Sequence, residues 1–184
     1  LLAKLYGGGI CVGYHTQYDQ LVSLYWNRVF GGLAQRYLHA LDRMLFRRAS
    51  FVLTNSHPMY EAADSMGARE VRLLGTPVEP KLLRAPVPLP DDRFGPILFV
   101  GRLAAEKNIE RVLEAARTLS HIPFIIAGDG PLASTVREAA DELDNLSYRG
   151  WVDRDTLVDT LDESEILVLP SKVEAFGTVE IEAM

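Results

Sequence analysis

The residues best suited to chemistry lie near the end of the chain, between Ile166 and Met184. An apolar run stops at Pro170, a loop containing Gly177 follows, and helical spacing begins at Thr178. The start of a helix leaves several backbone N–H groups unpaired and carries partial positive charge, and glycine lets a ligand approach the backbone. The segment therefore predicts a strand, a loop and a helix that bind an anion such as phosphate.

Two glutamates in this segment differ in their expected direction. At 3.6 residues per turn, Glu180 and Glu182 point about 200° apart, so only Glu182 shares a face with Thr178 and the loop. A carboxylate one turn from a phosphate suits a nucleotide, because it accepts hydrogen bonds from adjacent ribose hydroxyls. Glu174 lies in the loop and is expected to reach the group beyond the phosphate. The alternative is that Glu174 and Glu182 are solvated surface charges.

Together these residues resemble the paired-glutamate motif of the retaining GT-B glycosyltransferases of the family 4 type, also called group 1 glycosyl transferases. The motif consists here of Pro170, Ser171, Glu174, Phe176, Gly177, Glu182, Ala183 and Met184. The resemblance implies that Glu182 holds the ribose and that Glu174 contacts the transferred sugar. It also implies that the loop amides of Phe176, Gly177 and Thr178 hold phosphate and sugar hydroxyls.

A second set of charges follows the apolar strand Ile97 to Val100, where Gly101 and Arg102 precede Lys107 in the next loop. In an open α/β sheet, ligands bind beyond the carboxyl ends of strands where the strand order reverses, between the first and fourth strands. Cations there can neutralise a leaving diphosphate. The resemblance assigns that role to Arg102 and Lys107, with Gly101 in the donor site, whereas the pair alone would suit two solvent-facing charges.

Three further candidates come mainly from the resemblance. Gly128 belongs to a strand-to-helix turn and is a candidate contact to the nucleotide, although a role in the turn itself suffices to explain it. Trp151 falls where the family contacts the base, and a semi-buried core aromatic is the alternative. His15 follows a predicted strand and matches the family histidine that faces the transferred sugar.

The domain organisation is read from a proline-rich stretch and from strand-helix alternation. Residues 85–96 (APVPLPDDRFGP) predict an extended connection, so residues 1–85 are assigned to the end of an acceptor domain and residues 86–184 to the beginning of a nucleotide-sugar donor domain. Short apolar strands separated by single helices indicate parallel sheets covered on both faces. We expect an α/β GT-B fold, with two Rossmann-like domains facing across a cleft and truncated at both ends.

Charge and composition limit the partners. The net charge is −6, with 10 basic and 6 acidic residues in 1–85 but 9 and 19 in 86–184, and an acidic total disfavours nucleic acid. Residues 21–48 are basic and aromatic, which suits either a peripheral contact with an anionic membrane or a core helix with a basic solvated face. Cys11 is the sole cysteine and is expected to be a buried small hydrophobe.

The resulting hypothesis is transfer of a hexose from a UDP- or GDP-sugar to an acceptor hydroxyl of a sugar, lipid or glycan. The resemblance implies retention of anomeric configuration and no essential metal, and no cluster in the sequence has metal-ligand spacing. No cofactor beyond the nucleotide-sugar co-substrate is expected. A cytoplasmic location is expected, at most peripheral at the inner face of the membrane. A nucleotide-sugar epimerase of the same fold and a silent nucleotide-sugar-binding fragment remain alternatives.

Overall fold

A computed structural model describes residues 9–16, 18–25, 28–75, 77–78, 80–82, 95–174 and 177–184. The chain forms two compact units, the first comprising Leu1–Pro77 with Val173–Phe176 and the second Val78–Lys172 with Gly177–Met184. This division lies between Pro77 and Val78, and the domain boundary expected after residue 85 stays a prediction. Most of the predicted connection 85–96 lies outside the described residues.

The first unit contains a parallel sheet with the strand order β1-β2-β3. Its elements are β1 (Cys11–Tyr14), α1 (Tyr18–Tyr25), α2 (Arg28–Arg48), β2 (Phe51–Thr54), α3 (His57–Ser65) and β3 (Val71–Leu73). Tyr14, Phe46, Val52 and Met59 are buried together in its core, and the rings of Tyr14 and Phe46 meet edge to face at 5.0 Å. Local β-α-β order in this half is therefore as the sequence predicts.

Two features of the first unit differ from expectation. Cys11 is exposed rather than buried, whereas Tyr14 on the same strand is buried. Helix α2 packs only part of its apolar face into the core. Its exposed large apolar side chains are Phe30, Leu33, Tyr37, Met44 and Leu45. No helix in the described part of the chain is long and apolar enough to cross a bilayer.

The second unit contains a parallel sheet with the strand order β6-β5-β4-β7. Its elements are β4 (Ile97–Val100), α4 (Ile109–Thr118), β5 (Phe124–Ala127), α5 (Ala133–Glu142), β6 (Leu146–Gly150), α6 (Arg154–Asp162), β7 (Ile166–Leu167) and α7 (Thr178–Ala183). Strand β4 pairs with β5 on one side and β7 on the other. The strand order therefore reverses between β4 and β7, as the first-and-fourth-strand prediction requires.

The core of the second unit forms where the apolar faces of helices pack against the apolar strands of the sheet. All four residues of β5 are buried, which is typical of a strand covered on both faces. Helix α4 buries Ile109, Val112, Leu113 and Ala116, the i, i+3, i+4, i+7 spacing of a single helix face. Each large aliphatic side chain buried in this way contributes about 1.5–3 kcal/mol to folding.

Strand β7 is shorter than predicted, ending at Leu167 rather than Leu169. The Val168 N–H still donates to the Leu98 carbonyl at 2.9 Å, after which the chain leaves the sheet. It does so because Pro170 has no N–H to continue the ladder and its carbonyl instead accepts from the Asn108 side chain at 3.1 Å. The chain thus turns toward the loop that follows β4.

Candidate active site

The loops after β4 and β7 are joined at the point where the strand order reverses. Lys172 donates its backbone N–H to the Glu106 carbonyl at 2.7 Å, and the Asn108 side chain bonds the Pro170 carbonyl. Asn108 itself is left-handed, with φ 55°, a conformation that asparagine tolerates better than most residues. These bonds join the loop after β4, which carries Arg102, to residues 170–172 after β7.

Two cations follow β4 with different surroundings. The Arg102 side chain is 66% exposed, and its Nη1 lies 4.0 Å from Oε1 of Glu106, whose side chain is 10% exposed. Such a long, exposed contact restrains the arginine weakly. Lys107 is half-buried and ends a short 3-10 turn, Ala105–Lys107, where its N–H donates to the Ala104 carbonyl. The pair thus supplies positive charge at the carboxyl end of the central strand.

Close packing leaves no room for a side chain at Gly128, which favours its role in the turn after β5. A Cβ at Gly128 would lie 1.9 Å from the Gly101 carbonyl oxygen, and its φ is +140°. The same two turns are held together where Gly101 N donates to Ala127 O at 3.0 Å and Leu103 N to Asp129 O at 2.9 Å. The turn after β5 therefore supports the backbone that carries Arg102.

Glu182 is a charged residue that is buried within the second unit. Its side chain is 3% exposed, and its Oε1 lies 2.6 Å from Nη1 of Arg154. That oxygen nevertheless makes no hydrogen bond to any residue that the structure describes, so the contact is an ion pair without hydrogen-bond geometry. Glu180 is exposed, which confirms that the two glutamates point to different sides and excludes the solvated-face alternative for Glu182.

The loop before α7 is only partly described. Glu174 is exposed within it, and Phe176 lies outside the described residues. Gly177 precedes the helix with φ −75°, and a Cβ there would meet only the movable end of the Glu180 side chain, 2.5 Å away. Glycine is therefore not required by the backbone at this position. Thr178 is the half-buried first residue of the helix.

Trp151 is 74% exposed, so the alternative of a core aromatic is wrong. It follows Gly150 at the carboxyl end of β6, where the glycine adopts φ +66°. An exposed indole at this end of a parallel sheet leaves a large apolar surface open to a ligand.

In the first unit, His15 follows β1 with its side chain exposed, and its Nε2 would lie 3.1 Å from a Cβ at Gly13. The ring thus folds back over the end of its own strand. The structure describes His15 within the first unit alone, and its role toward the sugar stays a prediction.

Two residues of the site, Arg154 and Asn108, were not identified from the sequence. Arg154 has no motif to mark it, because its importance comes from contact with a carboxylate distant in the chain. Asn108 could have been noticed as the residue between a loop and a helical pattern, a usual place for asparagine. The described residues contain no group of three or more His, Cys, Asp or Glu side chains placed to hold a metal ion.

The fold is an α/β fold of the GT-B type, and the loops after β4 and β7 are bonded to each other where the strand order reverses. The model of the family described as "Glycosyl transferases group 1" matches residues 85–184, and the chain belongs to this family. It is 28% identical over 166 residues to 2-deoxystreptamine glucosyltransferase of Streptomyces kanamyceticus, covering 79% of this chain and 43% of that protein.

Solved structures share the fold. Sucrose-phosphate synthase from Thermosynechococcus elongatus matches with a TM-score of 0.71 and 24% identity, over 99% of this chain and 49% of that one. HepE of Anabaena, solved in complex with UDP and glucose, matches with a TM-score of 0.68 and 17% identity, over 98% and 51%. The chain spans less than half the length of the curated relatives it matches.

Proposed function

We propose that the full-length protein transfers a hexose from a UDP- or GDP-sugar to an acceptor hydroxyl, with retention of anomeric configuration and without an essential metal. The observation that carries the proposal is the buried Glu182 carboxylate, whose Oε1 makes no hydrogen bond to the described residues. A buried acceptor without a hydrogen bond costs about 1–3 kcal/mol, so a ligand donor is expected to meet it. Ribose hydroxyls are such donors.

The position of this carboxylate supports a nucleotide rather than another polyol. Glu182 belongs to the helix that follows the β7 loop, and that loop is bonded to the β4 loop that carries Arg102 and Lys107. Diphosphate at the two loops and ribose at Glu182 would place both halves of a nucleoside diphosphate along one sheet edge. The exposed Trp151 offers a stacking surface for the base.

In the proposed reaction, Glu182 holds the ribose and Glu174 holds the transferred sugar, with His15 facing that sugar. Gly101 and the loop amides of Phe176, Gly177 and Thr178 contact the phosphates. The acceptor oxygen bonds to the anomeric carbon as the bond from that carbon to the diphosphate oxygen breaks, and the acceptor proton passes to the diphosphate. Arg102 and Lys107 stabilise the charge that develops on the leaving diphosphate.

The acceptor side is proposed from helix α2. Its exposed apolar side chains, including Phe30, Leu33 and Tyr37, accompany Arg43 and Arg47, which are also exposed. This combination supports peripheral contact of residues 21–48 with anionic lipid at the inner face of a membrane. We expect the full-length protein to sediment with phosphatidylglycerol vesicles at low salt, and the double variant Tyr37→Ser, Arg43→Ser to sediment less. Equal sedimentation of the wild type and the double variant would contradict the membrane contact.

One experiment separates transfer from the two other functions. The full-length protein is incubated with UDP- and GDP-sugars, with and without sugar, glycan and lipid acceptors, while diphosphate release and products are followed. Transfer requires release that depends on an acceptor, and a glycosylated product. Release without any acceptor would indicate an epimerase-like or hydrolytic reaction, and binding without release would indicate a silent binding module.

A further inference from the structure

Arg154 lies against the Glu182 carboxylate although its own helix disfavours it. It is the first residue of α6, where the partial positive charge of a helix start repels a cation. The helix is instead capped by Asp153, whose Oδ1 accepts from Thr156 N at 2.8 Å. The guanidinium reaches from this unfavourable position to a carboxylate on α7, 2.6 Å from Oε1. The contact between the two helices explains why an arginine is placed there.

The two side chains differ in exposure, and the difference indicates what the pair can do. The Glu182 side chain is 3% exposed and that of Arg154 is 52% exposed. Removing a carboxylate from water is unfavourable unless an opposite charge balances it. Arg154 supplies that charge, while Oε1 keeps its capacity to accept a hydrogen bond, since it makes none within the described ranges.

We propose that Arg154 is the positioning residue of the ribose site. It balances the charge of Glu182 and fixes the direction of the carboxylate, so that hydroxyl groups of the ribose find an acceptor already in place. The inference rests on the proposed nucleotide-sugar donor, and it adds a residue that no part of the glutamate motif contains.

The test compares nucleotides of ribose and deoxyribose, because Arg154 should affect only the binding of the ribose hydroxyl that deoxyribose lacks. Calorimetric titration of the full-length protein with UDP, GDP, dUDP and dGDP gives the preference for the ribonucleotide. A hydrogen bond to a charged acceptor corresponds to a preference of about tenfold or more. We expect Arg154→Ala to reduce this preference to about threefold or less while the affinity for the deoxynucleotide changes by less than about twofold.

Companion variants separate positioning from a merely structural role. Arg154→Lys should restore part of the preference, and Glu182→Ala should abolish it, with no further loss when Arg154→Ala is added. Arg154→Met keeps the apolar stem and carries the same expectation as Arg154→Ala should the latter fold poorly. Arg117→Ala, at an exposed position near the end of α4, is the matched control and should retain the wild-type preference.

Four outcomes would overturn the inference. Retention of the wild-type preference in Arg154→Ala, or equal loss of affinity for ribo- and deoxynucleotides, would show that Arg154 does not position the carboxylate. Binding of nucleoside diphosphates by the wild-type protein without a ribose preference would reject the inference and the ribose role of Glu182, but not the nucleotide site. Absence of nucleoside diphosphate binding by the wild-type protein would reject the donor site as well.

Discussion

Substitution of Gly128 by alanine should damage the second unit far more than the same change at Gly150. At Gly128 the new Cβ would lie 1.9 Å from the Gly101 carbonyl oxygen, so it must move about 1.1 Å to reach the 3.0 Å that real Cβ contacts respect. The oxygen cannot retreat easily, because Gly101 N is bonded to Ala127 O and Leu103 N to Asp129 O. Overpacking of this kind costs about 1–3 kcal/mol and sometimes more.

Backbone strain adds to the steric term. Gly128 has φ +140°, whereas Gly150 has φ +66° and open space around its Cβ direction. A left-handed alanine at Gly150 costs about 1–2 kcal/mol, and the rarer conformation at Gly128 costs about 1–3 kcal/mol in addition to the clash. We therefore expect Gly128→Ala to lower the free energy of unfolding by about 2–6 kcal/mol, and Gly150→Ala by about 1–2 kcal/mol.

Urea unfolding of the full-length protein, followed by far-ultraviolet circular dichroism, measures both variants against the wild type. The diagnostic quantity is the difference between the two glycine variants, since both change a glycine at positive φ in the same unit. Equal destabilisation by both substitutions, or a loss below about 1 kcal/mol at Gly128, would refute the tight contact between the turns after β4 and β5.

Three further substitutions test separate parts of the unit. Asn145→Asp should lower the free energy of unfolding by about 2–4 kcal/mol, because a carboxylate would repel the carbonyl oxygens to which the amide donates. The Asn145 amide donates to the carbonyls of residues 116, 119 and 122. The control Asp144→Asn, at an exposed position, should change the urea midpoint little. Asn108→Gly should lose only the side-chain hydrogen bond to the Pro170 carbonyl. Asn108→Ala should lose the same bond and also strain the left-handed backbone, so this variant should be less stable than Asn108→Gly by about 1 kcal/mol. Trp151→Ala should weaken nucleoside diphosphate binding by about tenfold in calorimetry with inorganic pyrophosphate as control, and unchanged UDP and GDP affinities would contradict base stacking.

Most strand and helix positions could be predicted from the sequence because periodic apolar patterns determine them locally. Strand Ile97–Val100 has the predicted bounds, since it is a short apolar run that ends at a polar loop. The opposite directions of Glu180 and Glu182 also follow from helix geometry alone. Helix α1 (Tyr18–Tyr25) was missed, because eight residues give too short a periodic pattern to recognise.

Contacts between distant segments could not be predicted in the same way. The ion pair of Arg154 with Glu182 joins helices α6 and α7, and nothing in either local pattern records the other. The clash that fixes Gly128 as glycine depends on how closely the β4 and β5 turns approach, which a turn motif does not specify. Cys11 is exposed although its sequence neighbours are apolar, because packing against other segments decides which residues of a strand are covered.

The most direct test of the donor site is a crystal structure of the full-length protein with the UDP- or GDP-sugar that it turns over. Ribose hydroxyls are expected within about 2.6–3.1 Å of the Glu182 carboxylate. The diphosphate is expected between the β4 and β7 loops, with Arg102 and Lys107 facing its oxygens. A nucleotide bound elsewhere, or a ribose whose hydroxyls do not meet the Glu182 carboxylate, would contradict the proposed donor site.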